Sequence, residues 1–197
     1  MALQYKYVDW NQVYNLCFEV YQRIRETGYA PEFIVGVARG GWVPARIMAD
    51  FFITHYTANV KVEFYQDLFE TEEHASITQP VSGEPRWKNV LVVDDIADSG
   101  ESLKTTVAHL YHHKVAQLRT ACLHVKPWTD PLPDFYIEST EAWIIYPWEV
   151  KEFTLSIAKQ LSSEKNTFHE IESRLLEIGL PEQPMKEFLT EWQKIKK

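Results

Sequence analysis

The 197-residue chain reads as an α/β protein with a parallel sheet flanked by helices and a helical C-terminal extension. Three observations predict this. The runs Phe33 to Ala38, Val90 to Val93 and Leu118 to Val125 are apolar and rich in β-branched residues. They are too short for helices and uniform enough to be buried on both faces. The first two lead directly into a turn and a helical pattern, the alternation that builds parallel sheets. Finally, a composition of 45% hydrophobic and 24% charged residues, with only 7 Gly and 10 Pro, excludes disordered, collagen-like and low-complexity classes.

The elements follow in order. Asp9, with Gln12 three residues on, starts a helix whose stripe is Val13, Leu16, Cys17, Val20 and Ile24, and Gly28 stops it. Phe33 to Ala38 forms the first buried strand. Arg39-Gly40-Gly41 breaks it, and Pro44 suits the first turn of a helix running to about Phe52. Val60 to Phe64 alternates like a strand. Gln66 to Pro85 is polar, acidic and unpatterned, with Glu70, Glu72 and Glu73 but no Lys or Arg, and is expected to be a lid-like loop. After the strand Val90 to Val93 comes Asp94-Asp95-Ile96-Ala97-Asp98-Ser99-Gly100-Glu101-Ser102, then a helix with Leu103, Val107 and Leu110 on one face. The third buried strand ends at Lys126-Pro127-Trp128, and Asp130 to Asp134 is a Pro-rich loop. Beyond Val150 the pattern predicts two or three amphipathic helices. Phe168, Ile171, Leu175 and Ile178 form one stripe, and Phe188, Trp192 and Ile195 another.

Net charge is −8, from 20 basic and 28 acidic residues. This balance disfavours extended contact with nucleic acid or an anionic membrane. No apolar run approaches a membrane span and none near Met1 has signal-peptide length, so a cytoplasmic protein is expected. Cys17 and Cys122 lie far apart in apolar stretches and read as buried thiols in a reducing compartment.

In a parallel sheet the ligand site lies beyond the carboxyl ends of the strands, where the polar clusters of this chain stand. Val90 to Leu103 is the most informative. A buried strand delivers Asp94 and Asp95 to the sheet edge, Asp98 follows, and Ser99-Gly100-Glu101-Ser102 opens a helix. Main-chain N–H groups at such a turn suit a phosphate, and the serine hydroxyls add donors. Carboxylates suit Mg²⁺ or sugar hydroxyls instead. One loop thus combines an anion pocket with diol or metal ligands, as a sugar phosphate requires. A capped helix start beside solvated acids would explain one of the three carboxylates.

Val92 to Leu103 resembles the phosphoribosyl-pyrophosphate motif of type I phosphoribosyltransferases, with Ser99 and Ser102 where Thr is usual. The resemblance implies that Asp94 and Asp95 hold the ribose hydroxyls, directly or through Mg²⁺. It implies that Ala97, Asp98, Ser99, Gly100, Glu101 and Ser102 bind phosphoribosyl pyrophosphate, with residues 98 to 102 around the 5′-phosphate. Asp98 would exchange a proton with N7 of the base. The Gly-rich turn after the first strand resembles the family's pyrophosphate loop, and that resemblance implies that Arg39 and Gly40 are ligands and that Ala38–Arg39 is a candidate non-proline cis peptide.

A third cluster joins Lys126-Pro127 with Glu141 to Glu149, where Trp143 offers a stacking face and Lys126 a donor. It resembles the base-binding hood of the 6-oxopurine branch, the xanthine–guanine and archaeal hypoxanthine–guanine enzymes. That resemblance places Lys126 at O6, Trp143 on the ring and the Ile144 main chain at the base edge. Glu149 reads either as a further metal contact or as a helix N-terminal residue.

Together these readings predict a Mg²⁺-dependent, cytoplasmic purine-salvage phosphoribosyltransferase. Its domain with hood would cover 1–150 and its helical extension 151–197. Its partners would be phosphoribosyl pyrophosphate and a purine base, and it would form a homodimer. Two alternatives remain: transfer to another base, or a non-catalytic phosphoribosyl-pyrophosphate-sensing regulator of the same fold.

Overall fold

The computed structural model describes residues 4–66 and 73–195. The elements are β1 (Tyr5–Tyr7), α1 (Trp10–Glu26), β2 (Phe33–Ala38), α2 (Trp42–Phe51), β3 (Thr57–Gln66), β4 (Glu73–Gln79), β5 (Asn89–Ala97) and α3 (Glu101–Tyr111). They continue with β6 (Gln117–Val125), β7 (Glu138–Ser139), β8 (Trp143–Ile145), α4 (Val150–Ser163), α5 (Phe168–Glu177) and α6 (Glu182–Ile195). The chain divides into two units, Val13–Thr140 and the paired segments Met1–Gln12 and Glu141–Lys197.

The larger unit is a six-stranded sheet of order β4-β3-β2-β5-β6-β7, parallel except for β4. Side chains alternate across each strand. Val35 and Val37 of β2 and Val90 and Val92 of β5 join Leu103 and Leu110 of α3 in one apolar core. On the other face Gly36 lets Ala45 of α2 approach closely, since a Cβ there would stand 3.0 Å from the Ala45 methyl carbon. Helices therefore cover both faces, as the uniform apolar runs require. β2 leads through α2 to β3 on one side, and β5 leads through α3 to β6 on the other. The adjacent pair β2 and β5, in register from Phe33 opposite Val90 to Gly36 opposite Val93, is thus the point where strand order reverses. Loops leaving the carboxyl ends of two such strands enclose a crevice.

The expected loop from Gln66 to Pro85 is corrected. β3 runs on to Gln66, and β4 pairs antiparallel with it, Val62 opposite Ile77 and Phe64 opposite Ala75. Ala75 and Ile77 pack partly buried on the core, alternating with Ser76 and Thr78, a period of two that short polar side chains obscure. Glu70 and Glu72 lie outside the described residues.

In the smaller unit β1 and β8 form a parallel pair, with Tyr5 opposite Trp143 and Tyr7 opposite Ile145. Ile145 enters a core with Phe153, Ile157 and Ala158 of α4, Ile171 and Leu175 of α5, Leu180, and Met185 and Leu189 of α6. The tail forms three helices that pack on one another and on this strand pair. The α5 stripe is as expected, and Thr167 closes its start in a reciprocal capping box with Glu170. The α6 stripe is shifted. Its buried row is Met185 and Leu189 with Trp192 partly buried, and Ile195 is 84% exposed. Phe188 lies instead under the Lys151 ammonium, 4.9 Å from the ring centre. A methionine among polar residues carries little weight in a periodicity count, although its flexible side chain fills a core well.

Among the described residues, no helix is long and apolar enough to cross a membrane. At the α1 start the Asp9 N–H donates to Gln12 Oε1 and the Gln12 N–H to Asp9 Oδ1, both at 2.8 Å. Cys17 and Cys122 are buried and unbridged, and burial pushes the Cys17 thiol up to about 12.

Candidate active site

The first loop of the crevice leaves β2. Ala38–Arg39 is a cis peptide, Arg39 is exposed, and the turn closes with the Gly41 N–H on Val37 O at 2.9 Å. Gly40 lies against the carboxyl end of β5. A Cβ built there would stand 2.1 Å from Asp95 Oδ2, so only glycine lets the two loops approach this closely.

The second loop leaves β5, which runs two turns of the pleat further than the apolar run suggests and carries Asp94 and Asp95 inside the strand. Consecutive strand residues face opposite sides, so the two carboxylates do not form one chelate. Both are buried, 8% and 5% exposed. Asp94 Oδ1 accepts the Asp95 N–H at 3.0 Å, and Asp95 Oδ1 accepts the Ile96 N–H at 2.8 Å. Asp98 and Ser99 are exposed beyond the strand. Gly100, at φ +92°, turns the chain into α3, and Ser99 Oγ accepts the Glu101 N–H at 3.3 Å. The first turn of α3 presents N–H groups that have no acceptor within the helix, and the helix dipole adds positive potential there. This loop and helix start can hold a phosphate group.

The third segment, Lys126 to Asp130, fastens onto the second. The Lys126 N–H donates to Ala97 O at 3.0 Å and the Asp130 N–H to Ser99 O at 3.1 Å. Thr129 Oγ1 lies 2.8 Å from Ala97 O and 2.7 Å from Asp98 O and donates between them. Gly100 is required on this side as well, since a Cβ there would meet Asp130 O at 2.7 Å. The Lys126 side chain is buried. Its burial lowers the ammonium pKa, and the Asp98 charge acts in the opposite direction. Cys122, paired with Asp94 across the sheet, has its thiol pushed well up by burial and by the two aspartates.

This arrangement has known counterparts. The model of the phosphoribosyl transferase domain matches residues 5–157. The chain belongs to that family. A xanthine-guanine phosphoribosyltransferase of Nitratidesulfovibrio vulgaris is 30% identical over 72% of this chain and 83% of its own length. A purine phosphoribosyltransferase of Pyrococcus horikoshii superposes with a TM-score of 0.67 at 34% identity, over 74% of this chain and 94% of that one. A xanthine-guanine-hypoxanthine phosphoribosyltransferase of Helicobacter pylori, 19% identical, shares the fold with a TM-score of 0.66 over 78% and 99%.

Within this phosphoribosyltransferase the structure brings Gly40, Asp95 and the Asp98 to Ser102 loop to the carboxyl ends of β2 and β5, with Lys126 next to that loop. Trp143 and Ile144 stand in the other unit, on β8. Trp143 is 53% exposed, Ile144 is buried, and the Trp143 N–H donates to Gln4 O at 2.7 Å. Glu149 immediately precedes α4 as its N-cap residue, the position its helix-start reading gives it, and its carboxylate accepts the Tyr146 N–H at 3.3 Å. Sequence reasoning passed over two residues. Trp128 donates its indole N–H to Asp98 Oδ1 at 2.7 Å, and Thr129 ties two carbonyls of the acidic loop. Their signal was a tryptophan and a hydroxyl immediately after Lys126-Pro127 at a strand end.

Proposed function

We propose that this chain transfers the 5-phosphoribosyl group of phosphoribosyl pyrophosphate to a 6-oxopurine, hypoxanthine or guanine before xanthine, releasing pyrophosphate in nucleotide salvage. The observation that carries the reading is the loop from Asp94 to Ser102. It joins two buried carboxylates to a helix start suited to phosphate, and it is hydrogen-bonded to the turn bearing Lys126.

In the reaction N9 of the base forms a bond to ribose C1 as the C1–oxygen bond to pyrophosphate breaks, and the leaving oxygen keeps the electron pair. Residues 98 to 102 hold the 5′-phosphate through main-chain N–H groups and the Ser99 and Ser102 hydroxyls. Asp98 takes the N7 proton as N9 attacks. Lys126 donates to O6, and its donor character disfavours a 6-amino base. Trp143 stacks on the ring, and the Ile144 main chain meets the base edge. Arg39 and the Gly40 main chain receive the pyrophosphate.

Asp94 and Asp95 are hard oxygen donors on opposite faces of one strand. Either alone would fit a Mg²⁺ that takes a single carboxylate, with substrate oxygens and water as its other ligands. When bound, that ion would coordinate the neutral ribose hydroxyls and neutralise charge on the pyrophosphate leaving group. An acidic chain can thus hold a polyanion, because its carboxylates meet sugar, metal and base while N–H groups, Arg39 and Lys126 meet phosphate and O6.

We assign transfer to residues 1–150 and a helical extension to 151–197, supported by a family match ending at residue 157. We further assign a cytoplasmic homodimer, for which the half-exposed Tyr14 and Phe18 supply apolar surface. The deciding experiment measures pyrophosphate release with hypoxanthine, guanine, xanthine, adenine, uracil and orotate in turn, with Mg²⁺ and with a chelator. Turnover with 6-oxopurines, lost on chelation, is expected. No turnover with any of the three would sink the reading.

A further inference from the structure

Trp128 is 56% exposed, so burial does not account for where its ring sits. The turn beneath it is pinned to the acidic loop by the Lys126 N–H, the Thr129 hydroxyl and the Asp130 N–H. From that anchored base the indole reaches across. Its Nε1–H donates to Asp98 Oδ1 at 2.7 Å, short for an N–H···O bond and typical of a charged acceptor. The Lys126 ammonium stands 5.9 Å from the centre of the same ring, within the range of cation–π attraction. One indole therefore contacts the two side chains assigned to neighbouring atoms of a purine, Asp98 to N7 and Lys126 to O6.

We propose that Trp128 is a positioning residue that presets Asp98, and through its face Lys126, for the N7 and O6 edge of the base. This rests on the reading of Asp98 and Lys126 given above. An exposed aspartate on a loop has several open rotamers. The indole N–H selects one of them, engages Oδ1 and leaves Oδ2 to take the N7 proton. A cation above the ring draws electron density from it and strengthens the N–H as a donor. The arrangement acts before the base arrives, so its contribution belongs to the chemical step rather than to phosphoribosyl pyrophosphate binding.

The test is a double-mutant cycle. Trp128→Phe leaves an aromatic ring at this position and deletes the donor. It is expected to lower kcat about tenfold, as befits a hydrogen bond to a charged group, and to leave KM for phosphoribosyl pyrophosphate unchanged. In an Asp98→Asn background the further loss on adding Trp128→Phe should shrink to less than about twofold, because coupled residues are not additive. An equal factor in both backgrounds overturns the proposal, as does an unchanged kcat in Trp128→Phe alone. A second readout needs no turnover. The indole N–H resonance of Trp128, assigned by its loss in Trp128→Phe, should move upfield in Asp98→Asn in the ¹⁵N-labelled protein. A resonance that does not move defeats the proposal whatever the kinetics, whereas one that moves in a protein inert toward all three 6-oxopurines defeats only the functional reading.

Discussion

The loops at the carboxyl edge of the larger unit's sheet and the helices of the smaller unit are each held by different forces, although both units have apolar cores. In the larger, main-chain hydrogen bonds tie the segment at 126–130 to that at 94–102, and a glycine contact brings 38–41 against Asp95. In the smaller, Ile145 and three helices close an apolar core in which Leu175, Met185 and Leu189 are fully buried. The contrast teaches where a side chain matters for chemistry and where for stability. In the loops a substitution should change turnover more than folding, and in the helical core the order should reverse.

The largest effect should come from Asp98→Asn, which keeps an oxygen for the Trp128 indole but cannot take a proton. We expect turnover to fall by about 10²–10⁴-fold with the melting temperature nearly unchanged, read by pyrophosphate release and thermal unfolding of the same preparation. A large loss of stability would break the comparison at its centre. Gly40→Ala follows. The new methyl group would overlap the Asp95 carboxylate, with 2.1 Å available, so that side chain or the loop must shift. A shift of that size in a positioned group costs about 100-fold in rate, and the melting temperature should drop by only a few degrees. Wild-type turnover in this variant would show that the glycine contact is incidental.

Leu189→Ala tests the other side. Truncating a fully buried leucine in the α4–α6 core should cost about 2–5 kcal/mol, read as a lower urea midpoint. Turnover per folded molecule should stay within about twofold of wild type. How much of each unit was legible in the sequence follows the same division. The acidic loop could be read because its parts are contiguous: strand, carboxylates, turn and helix start occupy Val90 to Leu103. The Trp128–Asp98 bond spans thirty residues and depends on how β5 and β6 align, which no local pattern encodes. β4 was obscured because serine, threonine and glutamine on its outer side read as loop composition. In α6 the amphipathic character was plain but the phase was not, since Phe188 outweighs Met185 in any hydropathy count although Met185 is the buried one. Aromatic size is a poor guide to burial where a cation can cover the ring, as Lys151 does.

The smallest effect belongs to pH and lies in the larger unit, at α3. His109 Nε2 accepts the Val81 N–H at 3.1 Å, so the imidazole must be neutral at that nitrogen. Burial lowers its pKa below the usual 6.5, and the nearby His113 and His112 add to the shift. The His109 and His113 rings are 5.0 Å apart. The folded chain therefore binds a proton at His109 less readily than the unfolded chain does. Above about pH 6.5 neither state is protonated there and the full contribution to stability is present. As pH falls below that value the unfolded chain takes up the proton first. Stability then declines until the folded histidine titrates too, at which point the Val81 N–H loses its acceptor. His109→Gln retains an oxygen for that N–H and does not titrate. Urea midpoints of the two proteins should therefore differ less at about pH 5.5 than at about pH 7.5, with wild type the more pH-sensitive. Parallel pH profiles would place the acid sensitivity of the larger unit elsewhere, at its carboxylates, and would confine the polar control of this sheet to the loops at its carboxyl edge.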